Sequence, residues 1–248
     1  MKDYYQAIAP DYARHRRVHP EVLRCLIATA ELSSSSSVLE VGCGTGNYLR
    51  ALYNQVGCGC WGIDSSQTML AQAREHLRGA KLLCAAAERM GLAAGQFHLV
   101  FAVDVVHHIM DRPRAFHECY AVMRGNGRLC LVTESPAMIR RREPHATYFP
   151  AAVAVELARY PGIITLRAEL DAVGFVDLME QEVQCHTTLD NIEPYRTKAH
   201  SSLSLIPEDD FARGIERFEQ DLRLGPVPVI WRYLLLWAIK PVASAKVF

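Results

Sequence analysis

The residues best suited to chemistry stand close together early in the chain. Gly42, Gly44 and Gly46 interrupt the run VLEVGCGTGN, which spans residues 38–47. Such a trio lets the backbone turn sharply and come within van der Waals contact of a ligand, where a side chain would collide. A dinucleotide loop reads Gly-x-Gly-x-x-Gly; here the third glycine comes one residue sooner, which argues against a nicotinamide oxidoreductase. Glu40 places a carboxylate in the apolar run just ahead of the loop. It would be unwelcome beside a pyrophosphate and suits a positively charged ligand. Asp64 ends a second apolar run, CWGID. At the carboxyl edge of a parallel sheet, where such sheets bind ligands, it falls beside the glycine loop. There it can take both hydroxyls of a ribose, or it can cap the helix that begins at Ser65, Ser66 and Gln67. His107, His108 and Glu134 are candidate bases, as are His145, Tyr148, Tyr195 and His200 without ranking; each can equally be a packing or surface residue.

These residues need a frame. From Val38 to Ser135 short apolar runs (SVLEV, CWGID, KLLCA, FHLVFAV, GRLCLVTES) alternate with stretches of helical periodicity at Asn47–Val56, Gln67–Leu77 and Arg112–Met123. Strand and helix in alternation imply an α/β fold with a parallel sheet covered on both faces. After Ser135 the rhythm changes. Met138 to Tyr160 reads as a loop and a helix, Ile164 to Ala172 as a helix stopped at Gly174, and Val176–Cys185 and Val229–Ile239 as strands. Between those strands, residues 190–224 are too long for an idle loop and read as part of a lid, helical from Pro207 to Leu222. The run Ser33 to Ser37 reads as a flexible joint. The chain divides as one domain: an N-terminal helical flap (1–32), a ligand-binding core (33–135), lid insertions (136–160 and 190–224) and C-terminal sheet elements (161–189 and 225–248).

The run from Val38 to Ser135 resembles the class I methyltransferases that use S-adenosylmethionine (SAM), in particular the small-molecule type 11 group; beyond it the likeness is loose. The resemblance implies a Rossmann-like seven-stranded sheet, mostly parallel with one antiparallel strand, and SAM as cofactor. It gives Glu40, Gly42, Cys43, Gly44 and Gly46 to the methionine part of SAM and Asp64, with Ser65 beside it, to the ribose. Met69 matches a position near the adenine or ribose, though it can also be core. The family's "GDAE" segment reads Ala85-Ala86-Ala87-Glu88 here. Ala86 stands where an acidic acceptor for the adenine amino group belongs, leaving backbone groups at Ala86 and Ala87, or Glu88, to compensate. Asp104 and Val105 match the segment beneath the sulfonium, facing the acceptor. A histidine pair at positions 107 and 108 is often only a feature of the helix start. The N-terminal stretch resembles the family's flap, with Tyr5 and Tyr12 closing on SAM and Arg16 meeting its carboxylate; it also reads as an amphipathic helix packed on the domain.

The whole composition fits a cytoplasmic enzyme, monomer or homodimer. Lys plus Arg equals Asp plus Glu at 27 each, so net charge supplies no attraction to nucleic acid or an anionic membrane. The first residues are too polar for a secretory signal, and the apolar run near Trp231 is far short of the roughly 20 residues of a membrane helix. The eight cysteines are scattered and read as reduced, mostly buried thiols; Cys58-x-Cys60 lacks a second Cys/His pair at zinc-finger spacing. No metal site is expected. The acceptor reads as a small organic molecule, because methyl transfer from an activated sulfonium needs alignment more than it needs reactive side chains. A SAM-binding protein without turnover is the alternative.

Overall fold

The computed structural model describes residues 18–242. In chain order its main elements are α1 (Pro20–Thr29), β1 (Ser37–Val41), α2 (Asn47–Val56), β2 (Gly59–Asp64), α3 (Gln67–His76), β3 (Lys81–Cys84), β4 (Phe97–Val103), α4 (Arg112–Val122) and β5 (Met123–Thr133). Then follow α5 (Pro136–Ile139), α6 (His145–Tyr148), α7 (Pro150–Arg159), α8 (Ile163–Val173), β6 (Val176–Leu189), α9 (Glu193–Arg196), α10 (Glu208–Leu224) and β7 (Val227–Ile239). Short 3₁₀ turns lie at Val106–His108 and Ser201–Ser204.

The seven strands form one sheet in the order β3-β2-β1-β4-β5-β7-β6. Only β7 runs against its neighbours. Successive strand residues point to opposite faces, and both sets are apolar. Val38 and Leu99 pack with α1, α2 and α3, while Leu39 and Val100 pack with α4 and α8. Burial on both faces is what turns these strands into continuous apolar runs. A third apolar cluster joins α6, α7, α9 and α10 to Leu189 and Val227, where β6 and β7 meet beyond the end of β5.

Several expectations need correction. The serine run is a tight turn: Ser36 N–H donates to the Ser33 carbonyl at 2.9 Å, and Ser36 Oγ accepts the Ser33 N–H at 3.0 Å. Serine hydroxyls bonding nearby backbone give such a segment a fixed shape. Residues 20–29, assigned to a flap, form a helix whose Val22 and Leu26 are fully buried in the core. Tyr5, Tyr12 and Arg16 lie outside the described residues. Residues 138–160 hold short helices instead of one, separated around Pro144 and Pro150, each of which lacks the N–H that helix continuation requires. Among the described residues no helix is long and apolar enough to cross a membrane, and no cluster of three or more His, Cys, Asp or Glu is placed to hold a metal. All eight cysteines are free thiols, and only Cys84 and Cys185 are not buried.

Candidate cofactor cleft and acceptor wall

The glycine loop crosses from β1 to α2 at the carboxyl edge of the sheet. Gly42, Gly44 and Gly46 all have positive φ. A Cβ on Gly42 would lie 2.5 Å from Val105 Cγ2, so only glycine lets the segment after β4 close over the loop. A Cβ on Gly46 would lie 2.1 Å from Leu77 Cδ1, so this glycine serves the packing of α2 against the end of α3.

Two carboxylates flank the loop, Glu40 buried and Asp64 half-buried. Helix α2 has no side-chain cap from its own N-cap residue, Gly46. Glu40 supplies one from the preceding strand by accepting the Leu49 N–H. Its other oxygen, Oε2, is buried and has no hydrogen-bond partner among the described residues. Burial, reinforced by the charge of Asp64, pushes the Glu40 carboxyl well above the usual carboxylate range. Asp64 is better satisfied. Its Oδ2 accepts the Gly44 N–H and its Oδ1 the Ser66 N–H, both at 2.8 Å. Burial raises its pKa, and these two bonds oppose the rise. The N-cap of α3 is Ser66, whose Oγ accepts the Met69 N–H at 3.3 Å; Asp64 instead ties the loop to β2.

A cleft opens here, lined by Glu40, Gly42, Cys43, Gly44, Thr45, Asn47, Tyr48, Val103, Asp104 and Tyr233. Asp104 has a left-handed φ of 55°, uncommon outside glycine and characteristic of functional loops. Tyr233 Oη donates to Asp104 Oδ2 at 3.4 Å. Of the remaining expected contacts, Met69 is buried in the first turn of α3 and Ser65 is exposed. Ala86 is exposed and its carbonyl takes the Arg89 N–H at 3.0 Å, while Ala87 is half-buried. Glu88 faces the start of α4, where its Oε1 accepts the Asp111 N–H at 3.5 Å.

Beyond Asp104 stands a wall of a different kind. Glu134, at the end of β5, is ion-paired with Arg142. Arg142 Nη1 also donates to Glu156 at 3.0 Å, and its Nη2 donates to Tyr160 Oη at 3.1 Å. Arg159 lies 3.8 Å from Glu156, donates to Ser201 Oγ at 3.1 Å and lies 3.4 Å from His108 Nδ1. His107 stacks on Tyr160, ring centroids 4.0 Å apart, and is in ring contact with His108. The three candidate bases therefore meet in one cluster joining the segments after β4 and β5 to α7. His145 and His200 lie apart, in the aromatic cluster with Tyr195 and Phe149. A larger cavity of about 380 Å³, bounded by Glu143, Tyr148, Asp221 and the start of β7, shares no residue with the cleft.

Residues 39–131 match the methyltransferase domain model. This stretch belongs to the methyltransferase domain family. It is 30% identical over 73% of its length to the biotin biosynthesis bifunctional protein BioCD of Bordetella avium, of which it covers 39%. It is 29% identical over 60% of its length to a malonyl-[acyl-carrier protein] O-methyltransferase of Enterobacter lignolyticus, of which it covers 63%. It thus spans about two fifths to under two thirds of those curated relatives. Among solved structures, a methyltransferase from an antibiotic biosynthesis pathway of Anabaena variabilis has the same fold, with a TM-score of 0.68 at 20% identity over 89% of this chain and 98% of that one.

The cleft holds residues the sequence did not single out. Thr45, Asn47 and Tyr48 adjoin the glycine loop and were within reach of a motif reading. Tyr233 was not: it lies 129 residues from Asp104 and arrives on the antiparallel strand. The Arg142 cluster likewise draws its carboxylates from 8 residues upstream and 14 downstream, Glu134 and Glu156, with no local pattern to mark them.

Proposed function

We propose that this chain transfers the methyl group of SAM to a small organic acceptor held between the cleft and the helical segments 136–160 and 190–224, which act as its lid. The observation that carries the reading is the unpartnered buried oxygen of Glu40 beside a loop that only glycine can form. A buried carboxylate oxygen without a donor is costly, and an ammonium or sulfonium group is what relieves it. The family's cofactor fits this donor set. Glu40 and the loop 42–46 would hold the methionine part, Asp64 the ribose hydroxyls, and the segment around Met69, Ala86 and Ala87 the adenine. When bound, SAM supplies an activated methyl; the chain supplies alignment and exclusion of water.

On the acceptor side Glu134 is engaged by Arg142, and we assign it to holding that arginine in place of proton removal. His107 and His108 are left as the bases for an acceptor that must lose a proton. Glu88 faces α4 and is not assigned to adenine. The balanced charge of the chain favours a small molecule over nucleic acid.

Calorimetric titration with SAM, S-adenosylhomocysteine (SAH) and NADH tests the core of this reading. Micromolar binding of the two adenosyl ligands alone, weakened roughly ten- to hundredfold in Asp64→Ala, is expected. A folded protein that binds neither would overturn it. Radiolabelled methyl transfer across a panel of hydroxyl, amine, thiol and carboxylate acceptors then tests turnover.

A further inference from the structure

His19 sits just behind the cleft and is 3% exposed. Its backbone N–H donates to Tyr48 Oη at 3.1 Å, and its Nδ1 accepts the Val22 N–H at 3.4 Å as the N-cap of α1. With Nδ1 accepting, the neutral ring carries its proton on Nε2. Nε2 is buried and has no hydrogen-bond partner among the described residues. Burial lowers the imidazole pKa, which favours that neutral form. The ring stands edge-on to Tyr233, 5.2 Å between centroids at 82°. Tyr233 in turn reaches Asp104, and Tyr48, Asp104 and Tyr233 all line the cleft.

Capping does not account for a histidine here. Asn, Asp, Ser and Thr cap better, and none of them brings a ring nitrogen that stays buried without a partner among the described residues. What the imidazole adds is a rigid edge against Tyr233. We propose that His19 is a positioning residue for the cofactor cleft: its ring fixes Tyr233, and through it Asp104, while its backbone fixes Tyr48. This rests on the reading of the cleft as the SAM site.

Three variants separate the ring from the cap. His19→Asn keeps a cap and the backbone bond to Tyr48 but removes the ring; its unfolding midpoint should stay near wild type while SAH binding weakens at least fivefold. His19→Phe keeps a ring edge and loses the cap; it should be less stable yet bind SAH within twofold of wild type. Because His19 acts through Tyr233, the pair His19→Asn and Tyr233→Leu should bind no worse than Tyr233→Leu alone. SAH affinity within twofold of wild type in His19→Asn would overturn the proposal. So would equal losses in the Asn and Phe variants, or losses that multiply in the double variant. A second readout needs no ligand: in protein labelled with 3-fluorotyrosine, the ¹⁹F resonance of Tyr233, assigned by Tyr233→Phe, should shift or broaden in His19→Asn and not in His19→Phe. An unmoved resonance in His19→Asn would overturn the inference. If wild type fails to bind SAH while the resonance behaves as expected, the cofactor reading fails and the positioning role stands.

Discussion

Two pairs of glutamate and aspartate side chains, all buried except the half-buried Asp64, divide the molecule. Beside the glycine loop, Glu40 and Asp64 are held by backbone N–H groups, and among the described residues one oxygen of Glu40 is left without a donor. On the wall beyond Asp104, Glu134 and Glu156 share Arg142, with Arg159 close to Glu156. The first pair is short of one donor among the described residues; the second is neutralised from within. Buried charge of the first kind marks a place built for a ligand, and of the second kind a place built to keep its shape.

Removing the shared arginine should break this contrast most forcibly. Arg142→Leu leaves Glu134 buried without a cation and Glu156 with Arg159 alone, and denaturant unfolding should show a loss of about 3–5 kcal/mol. A loss below about 1 kcal/mol would mean that the wall does not depend on its internal pairing. Asp64→Ala comes next and acts on the other side. Loss of hydrogen bonds to a charged acceptor, worth about 1.5–3 kcal/mol each, should weaken SAH roughly ten- to hundredfold by calorimetry.

Glu40→Gln sharpens the comparison through pH. Because the folded-state pKa of Glu40 is raised, its contribution to stability is fully present below the usual carboxylate value and lost as pH rises through the raised one. Ligand-free wild type should therefore lose stability as pH climbs through that window, and Glu40→Gln should flatten the slope. At neutral pH the variant should melt a few degrees higher, the shift that ~1 kcal/mol gives in a chain of this size. A bound cation draws the carboxyl to its ionised form, so wild type should release a proton on binding SAM and bind more tightly as pH rises. Calorimetry in buffers of different ionisation enthalpy should show that release in wild type and not in the variant. The smallest effect belongs to Ala86→Asp, which restores a side-chain acceptor and should tighten SAH only a few-fold; unchanged affinity would remove Ala86 from adenine recognition.

The cofactor half was legible because its logic is local. Val38 to Asp64 holds strand, loop, helix and second strand within one stretch, although the steric demands on Gly42 and Gly46 come from Val105 and Leu77 outside it. The Gln67 helix and the strand at Phe97–Val103 begin where periodicity placed them for the same reason. The wall beyond Asp104 resisted because no local pattern marks its contacts. Nothing around Tyr233 announces Asp104, and nothing around Arg142 announces Glu134. β5 begins at Met123, earlier than the apolar run that signalled it, because strand pairing with β4 reaches back past Gly127. The serine run misled for another reason: composition alone does not show which hydroxyls bond to backbone.

The ion pair between Glu134 and Arg142 also constrains how such a scaffold can be re-equipped. A recombinant chimera that exchanged residues 136–160 at their chain ends would strand Glu134 on the sheet opposite a foreign segment, and would separate Tyr160 and Arg159 from the imidazoles at 107 and 108. The transplantable unit is therefore discontinuous: the helices together with Glu134, His107 and His108, carried as one graft.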